Sequence, residues 1–390
     1  MVSAKEPKRI AILGSTGSIG TSTLDVVRAF PGRFRVVALS AHSQAEELAR
    51  QIEEFEPEVA ALTNETHRRD LVESLGDTDV ELLWGEKGPE KIAGRENLDL
   101  VLSAIAGAAG LPAAARTLRS GHTLALANKE ALVMAGGLLK ELSRAHNARI
   151  LPVDSEHSAI DQALKCGTPE EVSRIILTAS GGPFYGRDPE ELAKATPEEA
   201  LDHPNWDMGA KISIDSATMM NKGLEIIEAC WLFDVPADKV TVVIHPQSLV
   251  HSMVEFVDGS IMAQLGPRDM KLPIQHALTH PEHVEGPVEK LDLTDLDGLQ
   301  FRPAPPEEFP ALELGYRAAR EKGVTGAVLN AADEEAVAAF LEKRIGFNDI
   351  LPCVRHVMDS CPKQAGDTLT FERILEADRW AREEASTWLP

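Results

Sequence analysis

Arg9-Ile10-Ala11-Ile12-Leu13-Gly14-Ser15-Thr16-Gly17-Ser18-Ile19-Gly20 decides the fold. Ile10 to Leu13 form a short continuous apolar run, which fits a strand covered on both faces. Glycine closes the run, and a helical pattern follows it. Strand, glycine turn and helix in that order are the context in which glycines let a backbone approach a pyrophosphate. The helix N-terminus then offers unbonded N–H groups to the charge. The spacing here is G-x-x-G-x-x-G rather than the commoner G-x-G-x-x-G. A glycine-rich turn without a ligand would produce the same string, so the motif alone defines a nucleotide-binding α/β candidate and no more.

Working outward, the theme repeats at 35–40, 60–63, 98–104 and 122–127, with polar helical stretches such as 44–55 between. Strands alternating with helices of this length imply parallel βαβ units. We therefore expect an α/β chain with an N-terminal Rossmann-like parallel sheet over residues 1–150. From about residue 151 the style changes. Residues 175–178, 240–244 and 253–265 read as strands, the last interrupted by Asp258-Gly259 as a hairpin turn. An α+β catalytic domain is expected over 151–280. The stretch 281–310, rich in proline, glycine and acid, reads as a linker or a surface-draped chain. Apolar residues at three- and four-residue spacing then predict a C-terminal helical domain over 311–390.

The chain has 390 residues, of which 43% are hydrophobic and 26% charged, an ordinary globular composition. Acidic residues outnumber basic ones 62 to 39, for a net charge of −23. That balance argues against nucleic acid or an anionic membrane as partner. Cys166, Cys230, Cys353 and Cys361 are scattered without a C-x-x-C pair, so neither a cysteine zinc site nor a disulfide framework is expected. Residues 1–9 are polar with no signal-peptide core, and no apolar run reaches the roughly 18 residues of a membrane span. The expectation is a soluble, cytoplasmic protein.

Four further places carry chemistry. Ser40-Ala41-His42-Ser43 ends the second strand. It lacks the acidic residue that takes a ribose 2′-OH, which argues against NAD. It also lacks arginine and lysine, so a 2′-phosphate would rest on His42, Ser43 and backbone N–H groups; a plain loop is the equal alternative. Ala127-Asn128-Lys129-Glu130 follows a strand, where a doubly wound sheet places its ligands, although a solvated Lys–Glu pair reads the same. Pro152-Val153-Asp154-Ser155-Glu156-His157 brackets a hydroxyl with two carboxylates. Hard cations such as Mg²⁺ want such oxygen ligands, and a helix-capping cluster is the alternative.

The densest stretch is His203-Pro204-Asn205-Trp206-Asp207-Met208-Gly209-Ala210-Lys211-Ile212-Ser213-Ile214-Asp215-Ser216-Ala217-Thr218-Met219-Met220-Asn221-Lys222-Gly223-Leu224-Glu225. A helix is expected from Ser216, with Ser216 as its cap. Asn221, Lys222 and Glu225 then share a face, offering an amide and an ammonium to a phosphate and a carboxylate to a metal. An exposed Lys–Glu helix pair is the bland reading. Trp206 is either a mobile lid or a core plug. His245 and His251, at a strand end, are read as structural.

These motifs occur in an order that closely resembles the 1-deoxy-D-xylulose 5-phosphate reductoisomerase family, over nearly the whole chain. Thr178-Ala179-Ser180-Gly181-Gly182-Pro183-Phe184, residues 245–252, Ala327-Val328-Leu329-Asn330-Ala331-Ala332 and Arg344-Ile345-Gly346-Phe347 belong to the resemblance. It implies NADPH as cofactor, held at Thr16, Gly17, Ser18 and Ile19, with Asn128, Glu130 and Gly209 also touching it. It implies Mg²⁺, Mn²⁺ or Co²⁺ at Asp154, Glu156 and Glu225. Lys129, Ser155 and Glu156 would meet the reacting end of a phosphorylated sugar. Ser180, Ser216, Asn221 and Lys222, with His203 beside them, would hold its phosphate, and Trp206 would belong to a flap.

The implied reaction rearranges the carbon skeleton of 1-deoxy-D-xylulose 5-phosphate by retro-aldol cleavage and re-addition. It then reduces the aldehyde to 2-C-methyl-D-erythritol 4-phosphate. A homodimer is implied, with the middle strands extending a sheet across the two-fold. The chain departs from the family at Ala41-His42-Ser43, the 2′-phosphate edge, and at the loop Gly266-Pro267-Arg268-Asp269-Met270. Two rival readings are another NAD(P)-dependent dehydrogenase, which needs no three-carboxylate site, and a non-catalytic nucleotide sensor, which leaves 203–225 unexplained.

Overall fold

The computed structural model describes every residue except 1–5, 204, 205, 207 and 363–367. Pro204, Asn205 and Asp207 of the dense stretch therefore lie outside the described residues. The chain divides into two compact units that interleave in sequence: Met1–Asn128, Leu139–Ser158 and Asp269–Glu289 in one, Lys129–Leu138, Ala159–Arg268 and Lys290–Pro390 in the other.

The first unit carries a seven-stranded parallel sheet. Its strands are β1 (Lys8–Leu13), β2 (Phe34–Ala41), β3 (Val59–Leu62), β4 (Glu81–Trp84), β5 (Leu100–Ser103), β6 (Thr123–Leu126) and β7 (Ile150–Pro152), in the order β4-β3-β2-β1-β5-β6-β7. Helices α1 (Ser18–Ala29) and α2 (Ala45–Phe55) lie among its crossovers. Successive side chains of β1 serve opposite layers. Ile10 and Ile12 join a cluster with Leu24, Leu39 and Leu48, whereas Ala11 and Leu13 join Val37, Val59 and Val101. Two apolar faces explain why the strand reads as a continuous rather than alternating run. The strand order reverses between β1 and β5, which makes their carboxyl ends the switch point where such sheets bind ligands.

Helix α3 (Lys129–Ala145) follows β6 and leaves helical geometry at Ala135, and α4 (Ser155–Ala163) follows β7. The second unit holds α5 (Ala210–Thr218) and α6 (Met220–Phe233). Its five-stranded mixed sheet runs β11-β10-β8-β9-β12, with β8 at Val172–Ala179, β9 at Val240–Ile244, β10 at Val250–Phe256, β11 at Ile261–Leu265 and β12 at Arg302–Pro303. The hairpin expected at Asp258-Gly259 joins antiparallel β10 and β11, with Asp258 Oδ1 accepting the Ser260 N–H at 2.9 Å. The 281–310 stretch ends by adding β12 antiparallel to β9.

Helix α7 (Lys271–Thr279) belongs to the first unit, where Ile274, Ala277 and Leu278 enter the β1–β2 core cluster. Helices α8 (Pro310–Glu321), α9 (Thr325–Leu341), α10 (Ile350–Ser360) and α11 (Phe371–Trp388) complete the chain. Their buried residues, among them Leu329, Phe340 and Val357, share one apolar core with Ile175 and Leu177 of β8.

Candidate active site

At the switch point Gly14 has φ +84°, and a Cβ there would stand 2.5 Å from Ala104 O beyond β5. A Cβ on Gly20 would meet Gly14 O at 2.3 Å. Only glycine at both positions lets the turn fold flat against the strand ends. Buried Ser40 holds the turn, its carbonyl accepting the N–H of Gly14 at 3.0 Å and of Ser15 at 2.8 Å. Buried Gln51 of α2 donates from Nε2 to Ser15 O at 3.0 Å. Sequence reading noted Ser40 only as the start of the 40–43 stretch and passed over Gln51, because a buried serine at a strand end and a glutamine in a polar helix carry no spacing signal.

Thr16 lies in the turn, Gly17 is the extended N-cap of α1, and Ser18 and Ile19 open the helix. No side chain caps this end, so its first N–H groups remain for an anion. The tight glycine cradle and the uncapped helix fit a dinucleotide pyrophosphate. At the end of β2, Ala41 is buried, Ser43 half-buried and His42 exposed, with His42 Nδ1 2.8 Å from Thr63 Oγ1. Asn128, buried after β6, donates from Nδ2 to Gly107 O at 3.0 Å.

Asp154 sits one residue before α4. Its carbonyl accepts the Ser158 N–H at 2.9 Å, and its Oδ1 accepts the Glu156 N–H at 3.3 Å. His157 Nδ1 stands 3.3 Å from the same Oδ1, and Ser155 Oγ donates to Glu156 Oε2 at 2.5 Å. The capping reading is thus realised. It does not exclude the metal reading, because the carboxylates of Asp154 and Glu156 are both hard oxygen donors.

In the second unit, Glu225 is wholly buried on α6. Asn221 Nδ2 donates to its Oε1 at 2.7 Å, Lys222 Nζ to its Oε2 at 2.5 Å, and Lys129 Nζ lies 3.3 Å from Oε1. The predicted helical face is real, and Lys129 of α3 joins it. Two ammonium groups around one carboxylate leave a local positive balance suited to an oxyanion. A buried carboxylate also fits a divalent cation, since carboxylate oxygens are the donors such an ion selects.

One expectation is corrected here. Ser216 does not cap a helix; it lies in the last turn of α5, and the chain breaks at Met219 with φ +64° before α6 begins. The break arises because Thr218 Oγ1 accepts the Met220 N–H, replacing a helical acceptor. Beside this corner, Gly182 has φ +73° and a Cβ there would meet Ser216 O at 2.4 Å, so the Ser180–Gly182 turn lies directly on Ser216.

Ser180 Oγ accepts the Gly182 N–H at 3.1 Å and lies 3.1 Å from His203 Nε2. The Trp206 N–H is donated to His203 Nδ1 at 3.1 Å. That bond requires the lone pair on Nδ1, which assigns the ring proton to Nε2 and directs it at Ser180. Burial pushes the His203 imidazole below its ordinary pKa, favouring this neutral form. Trp206 is half-buried, its ring centroid 6.5 Å from that of His251. Gly209 is the exposed N-cap of α5, and Glu130 lies in the first turn of α3. His245 is structural as expected: Nδ1 bonds Gln300 O at 2.8 Å, and Nε2 accepts the N–H groups of Leu249 and Val250.

A doubly wound parallel sheet with a glycine cradle at its switch point, joined in one chain to a charged, buried polar cluster, defines a nucleotide-binding enzyme of the α/β oxidoreductase class. A family model described as 1-deoxy-D-xylulose 5-phosphate reductoisomerase matches residues 10–136, and its C-terminal domain model matches 150–233. A further DXP reductoisomerase C-terminal domain matches 265–384. The chain belongs to the 1-deoxy-D-xylulose 5-phosphate reductoisomerase family.

The reductoisomerase of Chlorobaculum tepidum is 52% identical over 97% of this chain and 98% of its own. That of Prosthecochloris aestuarii is 51% identical over 97% and 99%. Among solved structures, the Zymomonas mobilis reductoisomerase in complex with NADPH superposes with a TM-score of 0.91 at 44% identity, covering 98% of this chain and 99% of that one. A reductoisomerase in complex with NADPH, fosmidomycin and magnesium has a TM-score of 0.92 at 43% identity, covering 97% and 98%.

Proposed function

We infer that this chain converts 1-deoxy-D-xylulose 5-phosphate to 2-C-methyl-D-erythritol 4-phosphate, using NADPH and a divalent cation. The observation that carries this reading is the Glu225 cluster. A wholly buried carboxylate set among Lys129, Asn221 and Lys222 supplies cation and phosphate ligands that a plain dehydrogenase or a nucleotide sensor does not require. Asp154, Glu156 and Glu225 take the cation, which is Mg²⁺, Mn²⁺ or Co²⁺. It supplies Lewis-acid polarisation of the substrate oxygens, and NADPH supplies the hydride.

The chain's own groups do the rest. Thr16, Gly17, Ser18 and Ile19 bind the cofactor's pyrophosphate and ribose, with Asn128, Glu130 and Gly209 orienting it and Ala41, His42 and Ser43 at its 2′-phosphate edge. Lys129 and Glu156 hold and move protons at the substrate's hydroxyl oxygens, with Ser155 positioning them. Ser180, His203, Ser216, Asn221 and Lys222 bind the phosphate away from the bonds that change. That binding energy orients the reacting end and draws the Trp206 segment over it, excluding water.

The working form is a homodimer in the cytoplasm. Strand β11 is the edge of its sheet and exposes Ile261 at 49% and Met262 at 37%, an apolar edge suited to pairing with a second copy. Four free cysteines suit a reducing compartment. Among the described residues, no helix is long and apolar enough to cross a membrane.

The deciding experiment follows NADPH absorbance with 1-deoxy-D-xylulose 5-phosphate and Mn²⁺, then with chelator. Oxidation that requires both substrate and metal supports the assignment. Silence in protein that binds NADPH returns the choice to the rival readings.

A further inference from the structure

Helix α5 carries a buried ionic cluster that the reaction above does not use. Lys211 Nζ lies 2.6 Å from Asp215 Oδ2, one turn on, and 2.8 Å from Asp333 Oδ2 of α9. Asp215 is 2% and Asp333 0% exposed. Their second oxygens, Asp215 Oδ1 and Asp333 Oδ1, are buried and accept no donor from any other group among the described residues. One ammonium against two buried carboxylates leaves a net negative charge, which is costly unless a proton remains.

The chemistry of the groups agrees. Burial, and then the charge of Asp333, hold the Asp215 carboxyl well above the usual carboxylate range. Burial opposes the Lys211 ammonium, yet Asp215 and Asp333 keep it well above its ordinary value, with Glu130 of α3 adding to them.

The other charges around the cluster have partners of their own. On α9, Glu334 and Glu335 pair with Arg382 of α11. On α6, Lys222 and Glu225 pair with each other. In the short helix Pro197–Leu201 before α5, Glu198 pairs with Lys343 and Glu199 with Arg187. Burial, and then Asp333, push the Cys353 thiol of α10 up to about 12, so it stays neutral.

The cluster stands where the site needs a fixed point. Lys211 is two residues past Gly209, and Asp215 adjoins Ser216, on whose carbonyl the Ser180–Gly182 turn rests. We propose that Asp215 retains a proton beneath Lys211, and that the neutral cluster it forms with Lys211 and Asp333 ties α5 to α9 and so positions the phosphate-holding end of the site. Asp333 and Lys211 are positioning residues; they act through Ser216 and the Ser180–Gly182 turn. The kinetic part rests on the reaction proposed above.

The test uses Asp333→Asn, Asp333→Ala and Lys211→Met in the full chain. Asparagine supplies a hydrogen to Asp215 from an N–H and keeps the cluster neutral; alanine keeps the charge balance but supplies no hydrogen bond, and methionine removes the ammonium. Asp333→Ala and Lys211→Met are expected to raise KM for 1-deoxy-D-xylulose 5-phosphate by about tenfold or more, with kcat changing less and NADPH affinity within about twofold. Asp333→Asn is expected to restore KM to within about threefold of the parent.

Thermal unfolding supplies an arm independent of activity. A carboxyl that holds its proton more tightly when folded stabilises the fold progressively less as pH rises above its unfolded value, so Tm of the parent falls as pH rises above the ordinary carboxylate range. Asp333→Asn lacks the buried second carboxylate and falls less steeply. Unchanged KM in both Asp333→Ala and Lys211→Met, or Asp333→Asn as impaired as Asp333→Ala, overturns the positioning role. Parallel Tm profiles overturn the retained proton on Asp215. If Asp333→Ala does not fold, Lys211→Met and Asp333→Asn decide. A parent protein that shows no turnover counts against the reaction assignment and leaves the unfolding arm to judge the cluster.

Discussion

Lys129 Nζ donates a 2.8 Å hydrogen bond to Asn221 Oδ1, although 92 residues separate them in the chain. Through this bond the motif after β6 and the face of α6 become one group, with Glu225 as the shared acceptor. The pairing turns two modest motifs, each readable as a solvated loop or helix pair, into a single buried cluster whose charges depend on one another.

That dependence sets the expected effect of Glu225→Gln. The amide keeps the shape but not the charge, so neither a cation nor two ammonium groups are balanced. Activity is expected to fall by about 100-fold or more while the fold and NADPH affinity persist. Turnover against Mn²⁺ concentration checks this; normal metal dependence would remove Glu225 from the site.

Lys222→Ala removes a donor from Glu225 and, on the proposed reading, from the substrate phosphate. KM for the phosphorylated substrate is expected to rise by about 10- to 100-fold, with NADPH binding little changed. Equal weakening of both, read by steady-state kinetics and fluorescence titration, would contradict the phosphate role.

Two glycines of the nucleotide turn should behave differently. At Gly14 the backbone is left-handed and a Cβ would meet Ala104 O at 2.5 Å, whereas at Gly17 the nearest atom is 3.5 Å away. Gly14→Ala is expected to cost about 1–3 kcal/mol of stability and to weaken NADPH. Gly17→Ala should leave Tm of the ligand-free protein nearly unchanged. Calorimetry of both variants separates the positions.

His203 gives a pH signature opposite to that of Asp215. Its folded pKa lies below its ordinary value because of burial, so the unfolded chain binds the proton more readily. The stability this provides is complete above about pH 6.5 and is lost as pH falls toward the lowered folded value. His203→Gln should flatten the fall of Tm below about pH 6.5 in the ligand-free protein.

Metal removal should separate the two halves of the chemistry. With chelator present, turnover of 1-deoxy-D-xylulose 5-phosphate is expected to cease while NADPH still quenches tryptophan fluorescence, because the glycine turn carries no metal ligand. Loss of NADPH binding on chelation would tie the cation to the fold instead.

Much of this was legible along the chain. The run Ile10 to Leu13 and the glycines after it place a strand, a turn and a helix from local rules alone. So does the spacing of Asn221, Lys222 and Glu225, since i, i+3 and i+4 neighbours meet on any helix. Ser216 was misread because one hydroxyl, Thr218 Oγ1, ends the helix two residues later than a serine cap suggests. Trp206 stayed ambiguous because flanking Pro and Gly say only that the chain turns. The turn-holding roles of Ser40 and Gln51 were invisible, because they exist only where β2 and α2 meet the turn.

Residue order settled the parallel sheet, the nucleotide turn and the acidic character of the chain, because each depends on contacts within a strand, a turn or one helical repeat. Tertiary structure decided which distant groups close on each other. Lys129 reaches Asn221, and Lys211 reaches Asp333, 122 residues on. It also decided that Asp269–Glu289 returns to the first unit and that the C-terminal helices share the core of the second sheet. Periodicity records which face of an element is apolar. It holds no record of which partner covers that face, and the buried charges at Glu225 and Asp333 take their meaning from that partner.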